Sequence, residues 1–563
     1  MLGPFFKLLE ATLELIVPLI IANLIDRGIK VNDGSGDPSY ILRSCILLIA
    51  LGAVGLAFSV TAQYFAAKVA CGVTSAIKSS LYRHIQTLTY NEIDAIGTST
   101  LIARLTSDSN QVQNGINLTL RLLLRSPFVV FGAMIMAFSI DSSAALTFAI
   151  VIPLLCIVVF GIMLGSIPLY KSVQSKLDGV LAGTRDALSG TRVIRAFCKE
   201  KDEADAFKKA NNSLTDIQNL VGKISALMNP LTYILINFAI IFLIYIGALR
   251  VDIGDLTQGE VVALYNYMCQ ILVELIKMAS LIISITKAMA SAARIQNVLD
   301  TESTMKYGEC EFRGVGSGIV FDNVSFKYAG AGDSSLNRIS FTAPRGATIG
   351  IIGGTGSGKS SLVNLIPRFY DATDGSITIN GTPISEFTKD SLREKIGIVP
   401  QKAVLFSGSI RDNMRWGSKN ATDSDILAAI DIAQGSSIVT DKGGLDAHIE
   451  QGGRNLSGGQ RQRLTIARAL VKKPDILILD DSASALDYAT DANLREAIAK
   501  STKEMTVFIV SQRTSSVMYA DKIIVLDDGD AVAVGTHDEL INNCALYREI
   551  YETQFGKEDM SDE

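Results

Sequence analysis

The chain has 563 residues, beyond the ~250 to 300 at which a single core stops growing, so at least two domains are expected. Hydrophobic residues make up 48% and charged residues only 19%, with a mean hydropathy of +0.31, and the charge deficit is local, which points to a membrane domain beside a soluble one. A net charge of -5 leaves no basic excess of the kind that neutralises phosphates, which argues against nucleic acid as a partner; seven scattered cysteines, odd in number and without a C-x-x-C pair, suggest neither a zinc site nor a disulfide framework.

The first apolar stretch carries Glu10 and Glu14 and is not followed by a small-residue cleavage site, so it reads as a retained membrane helix. A spanning helix needs ~20 mostly apolar residues to cross ~30 Å of hydrocarbon. The stretches Phe5 to Ile25, Tyr40 to Ala67, Leu118 to Ile140, Ser142 to Tyr170, Leu231 to Leu249 and Val261 to Ala288 meet that requirement, giving six spans with both chain ends on one side. Between spans two and three, and between four and five, lie proline-free polar stretches of roughly 50 residues, from Lys68 to Asn117 and from Lys171 to Met228. Structureless loops of that length are improbable, and Leu177, Val180, Leu181, Thr184 and Leu188 recur at helical spacing. Each stretch is expected to form a helical hairpin reaching ~37 Å beyond the bilayer, with tips near Asn91 to Ile96 and Phe197 to Ala206.

Ionisable residues read within the spans are Lys7, Glu10, Glu14, Glu274 and Lys277, with Asn237 and Gln270 as further polar positions. In hydrocarbon such groups face a cavity or a partner; Glu274 and Lys277, at i,i+3, either pair with each other or face substrate. The division expected is a six-helix membrane domain with two hairpins over 1-298, a linker over 299-318, an α/β domain over 319-556 and an acidic tail over 557-563. The α/β reading rests on short β-branched runs such as Thr348 to Ile352, Ile476 to Leu479 and Thr506 to Val510, separated by helical stretches.

Gly353, Gly354, Thr355, Gly356, Ser357, Gly358, Lys359 and Ser360, followed by Ser361, come after the strand Thr348 to Ile352 and open a helix, the context a phosphate-binding loop requires. Glycines let backbone N–H groups converge on phosphate oxygens, Lys359 supplies a charge to the β- and γ-phosphates, and the Ser360 hydroxyl ligates Mg²⁺. The apolar run Ile476 to Leu479 ends in Asp480, a carboxylate placed to hold the same ion. Such a domain must see cytosolic ATP, which puts the chain ends on the cytoplasmic side, in agreement with the Lys/Arg content of both polar stretches.

Leu456-Ser457-Gly458-Gly459-Gln460 resembles the signature sequence of ABC transporters, and the family's other motifs appear in order: Tyr328 as the aromatic that stacks adenine, Gln401 in the Q-loop, and Ser484-Ala485-Leu486-Asp487 as the D-loop. Leu101 to Thr106 and Gly190 to Phe197 are similar to intracellular-loop sequences of bacterial ABC exporters. The resemblance implies an α-helical six-span membrane domain of exporter type joined to an α/β P-loop nucleotide-binding domain. It also implies ATP and Mg²⁺ as cofactors, with Ser360, Gln401 and Asp480 around the metal, and Ser457, Gly458, Gly459 and Gln460 facing the γ-phosphate bound by an opposite subunit. The expected location is the bacterial plasma membrane, multi-pass and surrounded by lipid, with the nucleotide domain in the cytoplasm.

Two departures bear on activity. Where hydrolytic subunits carry a catalytic Glu after Asp480 this chain has Asp481, one methylene shorter, and where they carry a switch His it has Gln512. The pair resembles one subunit of bacterial heterodimeric multidrug exporters, which implies a degenerate ATP site and a partner half-transporter with the consensus Glu and His. Family members also begin with a basic amphipathic elbow helix, whereas Leu2 to Phe5 lead directly into the first span, so a mis-assigned or truncated start is among the expectations. The function implied is ATP-driven export of a small amphipathic substrate, whether drug, lipid or peptide, with metal-chelate import or an ATP-gated channel or regulatory subunit as alternatives.

Overall fold

The computed structural model describes residues 2–29, 36–501 and 504–555. The acidic tail expected over 557–563 lies outside the described residues. The chain forms two compact units, one comprising Met1–His84 and Ser99–Asp300, the other Ile85–Thr98 and Thr301–Glu563.

The described residues of the first unit are almost all helical, because they are apolar over lengths that only a helix satisfies without water for backbone partners. With the short tip helix of the second unit included, the helices are α1 (Leu2–Asn23), α2 (Pro38–Ile85), α3 (Tyr90–Ile96), α4 (Thr98–Ala103), α5 (Ser109–Leu122), α6 (Arg125–Ile140), α7 (Ser142–Ser189), α8 (Thr191–Ala196), α9 (Glu200–Ala226), α10 (Met228–Ile253) and α11 (Gln258–Leu299). Among the described residues six helical stretches are long and apolar enough to cross a membrane: Leu2–Ile29, Pro38–Ile85, Thr98–Ile140, Ser142–Ser189, Glu200–Ile253 and Gln258–Leu299. Local chemistry sets their ends. Asp141 leaves α6 in extended conformation and accepts from the Ala144 N–H at 2.6 Å, capping α7. Thr257 and Glu260 form a reciprocal capping box that starts α11.

The core of this unit gathers on α11, where Leu264, Tyr267, Met268 and Ile271 are fully buried against Phe148 and Leu155 of α7 and Leu243 of α10. The Tyr267 hydroxyl donates to the Leu15 carbonyl at 2.6 Å, so this buried polar atom is satisfied. In contrast Leu42, Ile46, Ile49, Leu56 and Val60 of α2 are exposed, an apolar surface suited to lipid. In the second polar stretch α7 runs unbroken to Ser189, α8 forms the tip and α9 begins at Glu200; Phe197 lies exposed in the connection.

The second unit holds the α/β domain. Its central sheet has the order β12-β11-β3-β10-β9-β6, from strands β3 (Thr348–Gly353), β6 (Ile396–Val399), β9 (Ile476–Asp480), β10 (Thr506–Val510), β11 (Lys522–Asp527) and β12 (Asp530–Gly535). All pair in parallel except β12, which runs antiparallel along one edge. A smaller antiparallel sheet, β2-β1-β4-β5, is built from β1 (Ile319–Phe326), β2 (Leu336–Ala343), β4 (Asp374–Ile379) and β5 (Thr382–Pro383), and β7 (Gly408–Ser409) pairs with β8 (His448–Ile449). The parallel strands are buried on both faces, which is why they read as continuous apolar runs.

The tip helix α3 packs within this second unit. Tyr90 lies 4.8 Å from the Phe369 ring, Tyr370 donates to Asp94 at 2.7 Å, and Thr304 donates to Glu92 at 2.7 Å. Burial would raise the Glu92 carboxyl, but hydrogen bonds from Thr89 and Thr304 outweigh it and hold the group below its ordinary value. Residues 85–98, from the stretch read as the first hairpin, thus belong to the same compact unit as the α/β domain.

Candidate nucleotide site

The phosphate loop leaves β3 at the sheet's centre, between β11 and β10, where the carboxyl ends of parallel strands open a crevice. Two of its glycines are sterically required. Gly353 has φ 158 and a side chain there would collide with the Leu526 carbonyl, while Gly358 has φ 93 and a Cβ would lie 2.6 Å from the Ser335 carbonyl oxygen. The helix Lys359–Leu365 then starts directly from the loop.

A cavity of about 450 Å³ collects Tyr328, Thr355, Gly356, Lys359, Ser360 and Ser361 with Gln401, Asp480, Asp481 and Gln512. These come from the β1 end, the loop and its helix, the stretch after β6, the end of β9 and the turn after β10. Lys359 Nζ donates to the Gly353 carbonyl at 3.0 Å and also to the Gly354 carbonyl. Ser360 Oγ donates to Asp480 Oδ1 at 2.9 Å, and Gln401 Nε2 to Asp481 Oδ2 at 3.3 Å. Tyr328 shares a hydrogen bond with Ser361 Oγ at 3.0 Å, and its ring stands edge-on to Tyr370 at 5.2 Å.

Burial pulls the Lys359 ammonium below its ordinary value despite the opposing Asp481 and Asp480. Burial, reinforced by Asp481, pushes the Asp480 carboxyl up, with Ser360 and Lys359 opposing. A buried base and a buried acid, each disfavoured in its charged form, are a pair that a polyanion and a cation would both satisfy. The donor set therefore fits a magnesium nucleotide.

Asp481 has φ 46, a left-handed conformation that short polar side chains tolerate better than most. Its N–H donates to the Val510 carbonyl at 3.0 Å and its carbonyl accepts from Ser484 Oγ at 2.9 Å, fixing the start of the D-loop. The signature residues stand outside this cavity. Ser457 caps the helix Gly458–Val471 through a reciprocal box with Gln460, at 3.2 and 3.0 Å, and Gly459 faces the Ala485 carbonyl. Gly353, Gly354 and Ser357 shape the loop without lining the cavity, Ser357 accepting from Lys359 at 3.3 Å.

Sequence reasoning missed three supporting groups. Gln554, on the helix Ala545–Phe555, donates to the Gln512 carbonyl and accepts from the Thr514 N–H, both at 2.8 Å, clamping the switch turn. Arg513 reaches the Ala483, Ser484 and Leu486 carbonyls at 3.4 to 3.5 Å, tying that turn to the D-loop. Asp333 to Ser335 and Asp528-Gly529 complete the wall near Tyr328.

Six membrane-length helices joined to a P-loop α/β unit with a signature helix define the class of ATP-binding-cassette membrane proteins. The family model for the ABC transporter transmembrane region matches residues 1–275 and that for ABC transporter matches 336–484. The chain is 36% identical to the uncharacterized ABC transporter ATP-binding protein YfiB of Bacillus subtilis, over 98% of this chain and 95% of that protein. It is 27% identical to the ATP-dependent lipid A-core flippase of Aliivibrio fischeri, over 99% and 97%. Its fold matches that of a bacterial Atm1-family ABC exporter solved with ATP bound, with a TM-score of 0.82 over 99% of this chain and 98% of that one, at 23% identity. The chain belongs to the ABC transporter family, as a multi-pass membrane protein with an ATP-binding domain in its C-terminal half.

Proposed function

We propose that this chain is one half of a heterodimeric exporter of amphipathic compounds, and that its own site binds MgATP but hydrolyses it slowly. The observation that carries this reading is the composition of the nucleotide cavity, where an intact Lys359, Ser360 and Asp480 meet Asp481 and Gln512 in place of Glu and His. Ser360, Asp480 and Gln401 are the residues that would hold Mg²⁺, which supplies charge neutralisation to the phosphates. Lys359 would orient the β- and γ-phosphates and the loop N–H groups would cradle them. A properly placed general base contributes about 10² to 10⁴ in rate, and a carboxylate one methylene short forfeits much of that. The position of Ser457 outside the chain's own cavity supports its serving a partner's nucleotide. The lipid named as cargo of the flippase relative supports an amphipathic substrate.

Lys359→Ala is expected to abolish photolabelling of this chain by ATP in the purified transporter, while the unaltered chain retains ATP unhydrolysed. Equal labelling of both forms would reject the binding assignment. Transport by reconstituted protein, measured against ion conductance in a bilayer, separates export from a channel.

A further inference from the structure

Charged side chains in hydrocarbon are costly unless paired, and the membrane unit gathers four of them at one place. Arg125, the first residue of α6, is 7% exposed and donates through one Nη to Glu274 of α11 and through the other to Glu14 of α1. Glu274, 2% exposed, also accepts from Ser126 Oγ at 2.7 Å and from Lys277 Nζ at 2.9 Å. Leu123 and Leu124 keep right-handed helical backbone between α5 and α6, so Arg125 lies within the stretch Thr98–Ile140, where its guanidinium meets α1 and α11.

The cluster is neutral, two carboxylates against two cations, but it is not closed. Among the described residues Arg125 Nε is buried without an acceptor. Among the described residues Glu14 accepts only through Oε2, and its side chain is 39% exposed; the Lys277 side chain is 41% exposed. The neighbouring Lys7 is instead used up within its own group, by Glu10 and by Ser59 Oγ at 3.2 Å. A purely structural clamp gains nothing from an orphaned donor, since a buried unsatisfied polar group is destabilising.

We propose that Glu14, Arg125, Glu274 and Lys277 form a polar site that takes the head group of a zwitterionic amphiphile, one bearing both an ammonium and a phosphate. The half-exposed Lys277 ammonium offers donors to the phosphate, with the buried Arg125 charge behind it, and the open oxygen of Glu14 accepts from the ammonium. A singly charged head would add net charge to a neutral cluster in a medium of low dielectric, whereas a zwitterion adds none. This inference rests on the amphipathic-substrate reading and names the substrate class within it.

The test is calorimetric titration of the detergent-solubilised transporter with dihexanoyl phosphatidylethanolamine, dihexanoyl phosphatidic acid, an alkylammonium of matching chain length, and free phosphoethanolamine. The zwitterionic lipid is expected to bind at least about tenfold tighter than either singly charged amphiphile, the scale of one charge-assisted hydrogen bond. Glu14→Gln is expected to make the phosphatidylethanolamine and phosphatidic acid affinities equal, and Lys277→Met to make those of phosphatidylethanolamine and the alkylammonium equal. Both variants leave the buried Arg125–Glu274 pair in place. Equal binding of the three amphiphiles to the unaltered protein, or a uniform loss for all three in the variants, overturns the site. Free phosphoethanolamine binding as tightly as the lipid overturns the amphiphile assignment. A failure of export itself would appear in the transport assay and leave this affinity ranking unchanged.

Discussion

In the assembled transporter, Ser457→Arg is expected to lower ATP turnover by about 10² or more, whereas Asp481→Asn leaves it within a few-fold of normal. Ser457 begins the helix Gly458–Val471 from an extended conformation, so a long cation there projects toward whatever phosphate faces the helix N-terminus and blocks it. Asn has the shape of Asp and tolerates φ 46 equally well, so the second change removes charge without disturbing the turn that Ser484 and Val510 hold. Losing the Ser457 cap alone costs about 1 kcal/mol of stability, and Ser457→Ala with a melting curve separates that loss from the catalytic one. Comparable damage from Asp481→Asn and Ser457→Arg would mean that this chain's own carboxylate carries hydrolysis.

Arg125→Met is expected to destabilise the membrane unit by about 3–5 kcal/mol, because it strands the buried Glu274 with only the half-exposed Lys277 as a cationic partner. The double variant Arg125→Met/Glu274→Leu should recover most of that loss, since an apolar replacement of a buried ion pair is often neutral. Melting temperatures of the solubilised single and double variants measure the difference; a double variant no more stable than the single would show that Arg125 acts through other contacts.

Features written in local chemistry were legible in the sequence. The glycines of the phosphate loop, the apolar strand ending in Asp480 and the six apolar stretches follow from backbone sterics, burial and bilayer thickness, which act residue by residue. The pairing of Glu274 with Lys277 was likewise open to reading from i,i+3 spacing. The rest depends on partners distant in sequence. Arg125 falls, with Arg121, inside the apolar stretch Leu118 to Ile140, where a charge amid apolar residues is the available signal; its partners lie 111 and 149 residues away. Gln554 is an exposed polar residue on the helix Ala545–Phe555, and nothing in its neighbours announces that it holds the Gln512 turn. The grouping of 85–98 with the α/β domain arises from Tyr90 meeting Phe369 and Asp94 meeting Tyr370, contacts that helical periodicity does not encode.

The central claim is that this chain binds ATP yet depends on a partner's site for turnover. The measurement that tests it most directly is steady-state ATPase of the chain purified alone in lipid nanodiscs, beside that of the complete pair at equal protein concentration. Alone, the chain can form only sites containing Asp481 and Gln512, so its rate is expected at least about 10²-fold below that of the pair, while nucleotide labelling persists. A rate for the chain alone equal to that of the pair would contradict the account and identify a self-sufficient homodimer.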